Sequence, residues 1–272
     1  MLTIYRKQIK KNWLYWSLPT FLMVALALLM TFLWPDFAPY VETLETLLEQ
    51  PLYVALLGEE TLGLTSLEGL IAMELFVVGD IVFVALILLF GVVSIAREVD
   101  SGTLDFMLSY PVPRWKFLLE KLLAFITVTL GYPVLTCAAA ILGAIIIGED
   151  FNSGAFLIAL LGRWLLYITL TIIVILCSLI FMESSKTLGL AGLILGGSYI
   201  AKVLGGLVGM ANPETADVLQ GISLFYYLDG SAVMKAVMSN EAYPLAELAV
   251  LLAVGITALI ASLALFQKRE FK

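Results

Sequence analysis

Long apolar runs separated by short polar stretches make up most of this chain. Runs close to or beyond the roughly twenty residues needed to cross a bilayer core recur at 17–35, 70–96, 117–147, 155–182, 188–210 and 245–267. The pattern predicts six transmembrane helices, several of them long enough to tilt or to extend into water. The longest charge-bearing stretch, from Arg97 to Lys121, carries Arg97, Glu98, Asp100, Asp105, Arg114, Lys116, Glu120 and Lys121 between nearly uncharged flanks. Such a stretch cannot cross a bilayer.

Within this stretch Asp100 or Ser101 can cap a short helix reaching about Ser109, because a side-chain oxygen there accepts from first-turn N–H groups. Pro111 and Pro113 end that helix, and they suit the first turn of the next one. Leu104, Met107 and Leu108 share one helical face, with Asp105 and Ser109 off it. The spacing predicts a short helix lying parallel to the membrane, with an apolar stripe that needs a partner.

Ahead of the first span, Arg6, Lys7, Lys10 and Lys11 alternate with Leu2, Ile4, Tyr5, Ile9, Trp13 and Leu14. That alternation predicts an amphipathic interfacial helix over residues 1–16. A cleaved signal fits less well, since the following apolar run is long and lacks a small-x-small cleavage site. Before the last span, residues 211–244 mix Pro213, Asp217 and Asp229 with the apolar run from Ile222 to Leu228, which is too short to span. It reads as an interfacial or partly re-entrant helix on the outer side, with Tyr226 and Tyr227 suited to headgroup level.

Basic residues orient the chain, since Lys and Arg are retained on the cytoplasmic side. In a six-span arrangement Arg6, Lys7, Lys10, Lys11, Arg97, Arg114, Lys116, Lys121, Lys186, Lys268, Arg269 and Lys272 fall on one side, and Lys235 on the other. Both termini and the 97–116 loop are therefore expected in the cytoplasm, with the acidic 36–69 segment outside.

Composition agrees with this pattern. The 272 residues are 61% hydrophobic and 14% charged, with a mean hydropathy of +1.02, far from the balance of soluble domains. A single all-α integral membrane domain over 1–272 follows. The net charge of −7 disfavours nucleic acid as a partner. The chain has no histidine, which removes Ser-His triads and His metal sites. It has no Gly-Lys dipeptide either, hence no phosphate-binding loop. Cys137 and Cys177 lie inside apolar runs and read as small buried hydrophobes. Energy for any transport must come from a partner or an ion gradient.

Five ionisable residues interrupt the spans: Glu74, Asp80, Arg163, Lys202 and Glu247. A central charge costs roughly 2.5 to 3.5 kcal/mol on insertion scales, so each needs a partner or water. Interhelical pairing of two acids with two bases is one reading. The other is a polar translocation path through Glu74, Asp80, Arg163 and Lys202, with Asp80 the deepest acid. In the fifth span Gly192/Gly196 and Gly205/Gly209 form small-xxx-small pairs that permit close helix packing, centrally or at a dimer interface.

The run from Arg97 to Arg114 resembles the cytoplasmic signature of ABC type-2 permeases: Glu98, then Ser101-Gly102-Thr103-Leu104-Asp105, then Met107-Leu108-Ser109, Pro111 and Arg114. Asp105 stands for a Glu, Met107 for a Leu and Pro113 where Ser is frequent. The resemblance implies the membrane half of a type V-like ABC exporter: two permeases, either two copies or homologues, and two separate ATPase chains. It implies that Glu98, Gly102, Thr103, Leu104, Asp105, Met107, Leu108, Pro111 and Arg114 form the coupling helix that docks on the ATPase. It also implies that the second and fifth helices line the path. The permease would be non-catalytic and bind no cofactor itself, with ATP and Mg on the partner. A plasma-membrane, multi-pass location among lipids and an amphipathic drug, peptide or lipid as cargo are expected. A gradient-driven transporter or channel is the alternative, but no internal repeat supports it. An intramembrane hydrolase lacks a recognisable nucleophile motif.

Overall fold

In lipid every backbone N–H and C=O must be satisfied within the chain, so uninterrupted apolar runs fold as helices. The computed structural model describes residues 3–41, 66–91, 95–103, 113–209, 212–238 and 244–268. Its helices are α1 (Thr3–Phe37), α2 (Leu67–Gly91), α3 (Arg97–Asp100), α4 (Arg114–Thr129), α5 (Gly131–Ile147), α6 (Ser153–Phe181), α7 (Ser184–Gly209), α8 (Pro213–Ile222), α9 (Gly230–Met238) and α10 (Leu245–Lys268). Among the described residues six helical stretches are long and apolar enough to cross a membrane, with α4 and α5 together forming the third. The six predicted spans are all present.

The opening residues depart from the expected pattern. Instead of a separate interfacial helix over 1–16, α1 runs unbroken from Thr3 through the first span, with Pro19 inside it. No glycine or proline precedes Pro19, so nothing in the sequence stops the helix there. The amphipathic pattern serves packing within the protein: Ile4, Tyr5 and Ile9 lie against the core, while Arg6, Lys7, Lys10 and Lys11 are exposed.

The third span is divided at Leu130, between α4 and α5. Pro133 cannot donate to the Thr129 carbonyl and its ring crowds that group. Gly131 beside it lowers the cost of the irregular turn. Trp164 of α6 donates through Nε1 to Thr129 Oγ1 at 3.2 Å, which fixes the division from the side.

The fourth span, α6, forms the centre. It packs against α2, α5, α7, α9 and α10, and 61% of its apolar window is buried against 22% for α7 and for α10. Asn152 caps its start, accepting from the Ala155 N–H at 3.1 Å, and Met182 ends it in the left-handed region at φ 53°. Close helix contacts also occur at glycines outside the fifth span. A Cβ on Gly91 would lie 2.1 Å from Val174 Cγ1 of α6, and one on Gly143 would lie 2.7 Å from Thr31 Cγ2 of α1.

On the side of the bundle away from α3, the apolar run from Ile222 to Leu228 is not the predicted helix. It closes α8 and then forms a turn, with Leu228 at φ 56°. Hydrogen bonding explains the turn: Ser223 Oγ donates to the Ser198 carbonyl at 2.7 Å, and the Leu224 N–H donates to Ser198 Oγ at 2.7 Å. The inward-packed element of this segment is α9, which buries Val233, Met234 and Ala236 against α6 and α2.

Candidate functional site

The charged stretch singled out in the sequence leaves the bundle at residues 95–103 and rejoins it at Pro113. Three contacts anchor its first arm. The Ala96 N–H donates to Ser178 Oγ of α6 at 2.9 Å, in a buried setting. Glu98 pairs with Lys121 of α4 at 2.5 Å, where the lysine side chain is 1% exposed. Asp100 accepts from the Ser184 N–H at 2.9 Å at the start of α7. Hydrogen bonds from Ser184, first its side chain and then its backbone, hold the Asp100 carboxyl below the usual carboxylate range.

The same end of α4 also holds the start of α1. The carboxylate of Glu120 accepts from the N–H groups of Ile4 at 3.0 Å and Tyr5 at 3.2 Å. These are orphan donors of a helix N-terminus, where a negative charge is favoured. Lys116 stands 3.9 Å from Glu120 one turn away. On the other flank Arg114 donates to the Phe266 carbonyl of α10 at 3.5 Å, and the rings of Phe117 and Phe266 stack at 6.0 Å.

These contacts locate the predicted coupling residues. Glu98 is engaged with this chain's own Lys121, and Arg114 with the Phe266 carbonyl. Gly102 has φ +65°, a conformation glycine adopts without strain. A Cβ there would meet nothing among the described residues. Thr103 is exposed and donates to the Glu98 carbonyl at 3.3 Å. Leu104, Asp105, Met107, Leu108 and Pro111 lie outside the described residues.

The charges inside the spans form two groups. Arg163 of α6 pairs with Asp80 of α2, and Asp80 also accepts from Tyr167 Oη at 3.0 Å. Arg163 and Asp80 side chains are 1% and 3% exposed. The Arg163 guanidinium lies 5.6 Å from the Phe76 ring centre, and Phe83 stacks on Tyr167 at 4.6 Å. Lys202 of α7 pairs with Asp229 at 2.9 Å, and both are partly exposed. Glu74 is half-buried on α2 and, among the described residues, is in no ion pair. Of the four residues considered for a path, Asp80 and Arg163 are thus enclosed by this chain, and Lys202 is tied to the segment before the last span.

The glycine pairs separate as well. Gly205 and Gly209 pack α8 of the same chain against α7: a Cβ on Gly205 would lie 2.7 Å from Gln220 Cγ, and one on Gly209 would lie 3.4 Å from Ala216 Cβ. At Gly192 and Gly196 an added Cβ meets nothing among the described residues. Those two face away from the described helices.

Sequence reasoning did not single out Lys121, Glu120, Tyr167 or Asp229 as site residues. The signal for the first two was visible, since Glu-Lys interrupts an otherwise apolar run less than two turns after Arg114. For Tyr167 and Asp229 nothing local pointed to Asp80 or Lys202.

A family model for ABC-2 family transporter proteins matches residues 13–271. The chain belongs to the ABC-2 transporter family. The match takes in all six spans and the loop between the second and third, so this ABC-2 protein is a multi-pass membrane component of a transporter. No curated protein matches the chain.

Proposed function

We propose that this ABC-2 protein is the membrane-spanning subunit of an ATP-driven exporter, working as a dimer with separate nucleotide-binding chains. The observation that carries the reading is the family match across residues 13–271 in a chain without a phosphate-binding loop. An ABC transporter component that cannot bind nucleotide itself needs an ATPase partner, and that partner carries the ATP and Mg. The charged loop, with Leu104, Met107 and Leu108 as its apolar stripe and Gly102 and Thr103 at its entry, is the docking element. Both termini and this loop are on the cytoplasmic side of the plasma membrane, as the Lys and Arg distribution requires.

Cargo is amphipathic: a drug, peptide or lipid. An ion-coupled mechanism is disfavoured because Asp80 and Arg163 neutralise each other in the bundle interior, where a relay would need them open to water.

Copurification with a soluble ATPase chain tests the assignment. Each buried apolar side chain contributes roughly 1.5 to 3 kcal/mol. Leu104→Asp with Leu108→Asp is therefore expected to weaken ATPase binding by about two orders of magnitude or more while leaving membrane insertion intact. Retention of the ATPase at matched expression would show that the stripe is not the docking element.

A further inference from the structure

We infer that Lys121 and Glu120 are positioning residues of the coupling step: together they fix the 95–103 arm and the start of α1 to one turn of α4. The inference rests on the exporter reading for what displaces the arm, and on geometry alone for how the displacement is carried.

The two residues are adjacent and hold different elements. Lys121 reaches the arm through Glu98 at 2.5 Å. Glu120 reaches α1 through the Ile4 and Tyr5 amides at 3.0 and 3.2 Å. A lysine that is 1% exposed is retained only where its charge is met. Here the ammonium has Glu98 and the face of Phe117, 4.5 Å away, and Lys7 and Lys11 of α1 add further positive potential. Glu98 meets that charge as an ion pair.

An apolar residue at 121 would fill the same space without the desolvation cost of a buried pair. What the pair adds is direction, because a charge-assisted hydrogen bond holds Glu98 at one point whereas apolar contact tolerates sliding. Two further hydrogen bonds of the arm, Ala96 with Ser178 and Asp100 with Ser184, reach the ends of α6 and α7. A push on the arm therefore acts on the first and third spans through residues 120 and 121, and on the fourth and fifth through the other two contacts.

Stability and position are separable. Lys121→Met leaves Glu98 without its cation, whereas Glu98→Gln with Lys121→Met removes both charges and restores stability without restoring the directional bond. Lys121→Arg keeps the charge. Spin labels on cysteines at Lys10 and Ser101, both exposed, report the distance between α1 and the arm in the purified chain.

Wild type and Lys121→Arg are expected to give one narrow distance. In both Met-containing variants the ratio of that population to the rest falls about tenfold, although only the single variant melts earlier. A narrow distance regained in the double variant, or kept in Lys121→Met, overturns the inference. With the purified ATPase chain added, ATP and vanadate are expected to shift the distance in wild type and Lys121→Arg but not in the double variant. A shift of wild-type size in the double variant also overturns it. A wild-type chain to which no ATPase binds overturns the exporter reading instead, and leaves the distances in the purified chain to decide.

Discussion

Arg163 illustrates how a full charge is held within this bundle. Its guanidinium faces the Asp80 carboxylate and the Phe76 ring, and the second carboxylate oxygen is taken by Tyr167. Such a pair adds little net stability compared with apolar residues of similar size, but loss of one member leaves the other uncompensated. Arg163→Met alone is expected to destabilise the chain by about 3 to 5 kcal/mol, while Asp80→Asn with Arg163→Met costs far less. Unfolding in detergent of the two variants checks this. A double variant that loses as much as Arg163→Met, or more, would mean that an uncompensated Asp80 carries no penalty and that the pairing is incidental. Glu98 with Lys121 follows the same rule at the end of the bundle. There the acid sits on a connecting arm instead of a span, so that pair positions a segment where Arg163 and Asp80 close a core.

Among the helices, the fifth span divides its glycines between two tasks. Gly205 and Gly209 admit α8 against α7, whereas Gly192 and Gly196 look outward. Gly205→Leu is expected to cost about 1 to 3 kcal/mol by forcing α8 away, with loss of thermal stability in the purified chain. Gly192→Leu should leave that stability unchanged and lower the dimer fraction seen by native mass measurement. Reversal of the two effects would exchange the roles.

The sequence could not make this distinction, because spacing places glycines on a face without naming what the face meets. Spans were legible since lipid accepts only long apolar helices, and the 97–116 loop since charge cannot stay in hydrocarbon. The break at Leu130 had a local signal in Pro133, masked by the apolar run around it. The inward turn of Glu98 had none, because its partner lies 23 residues away. The continuity of α1 was hidden for a different reason: an amphipathic pattern is the same whether its apolar face meets lipid or the third span.

For the molecule as a whole, the centre is the fourth span, with the first three on one side and α7 and α10 at its periphery. The low burial of α7 and α10 within one chain is what a dimer would use, and the Lys and Arg asymmetry is what supports the proposed orientation. Cysteines placed at Glu149 and Ser185, both exposed, are expected to react with an impermeant thiol reagent from outside and inside respectively. The native Cys137 and Cys177 are buried and should stay silent. Labelling of both positions from one side would overturn the six-span orientation.

The hold of Glu120 on α1 also has a consequence during biosynthesis. The Ile4 amide and its acceptor are 116 positions apart, a distance that a ribosome covers in on the order of ten seconds. Throughout that interval the first helix waits with its leading amides unclaimed, and it reaches its final seat only after the third span has been made. A nascent chain halted before residue 120 therefore carries a first helix whose start is not yet anchored, open to whatever insertion factor or lipid headgroup meets it first.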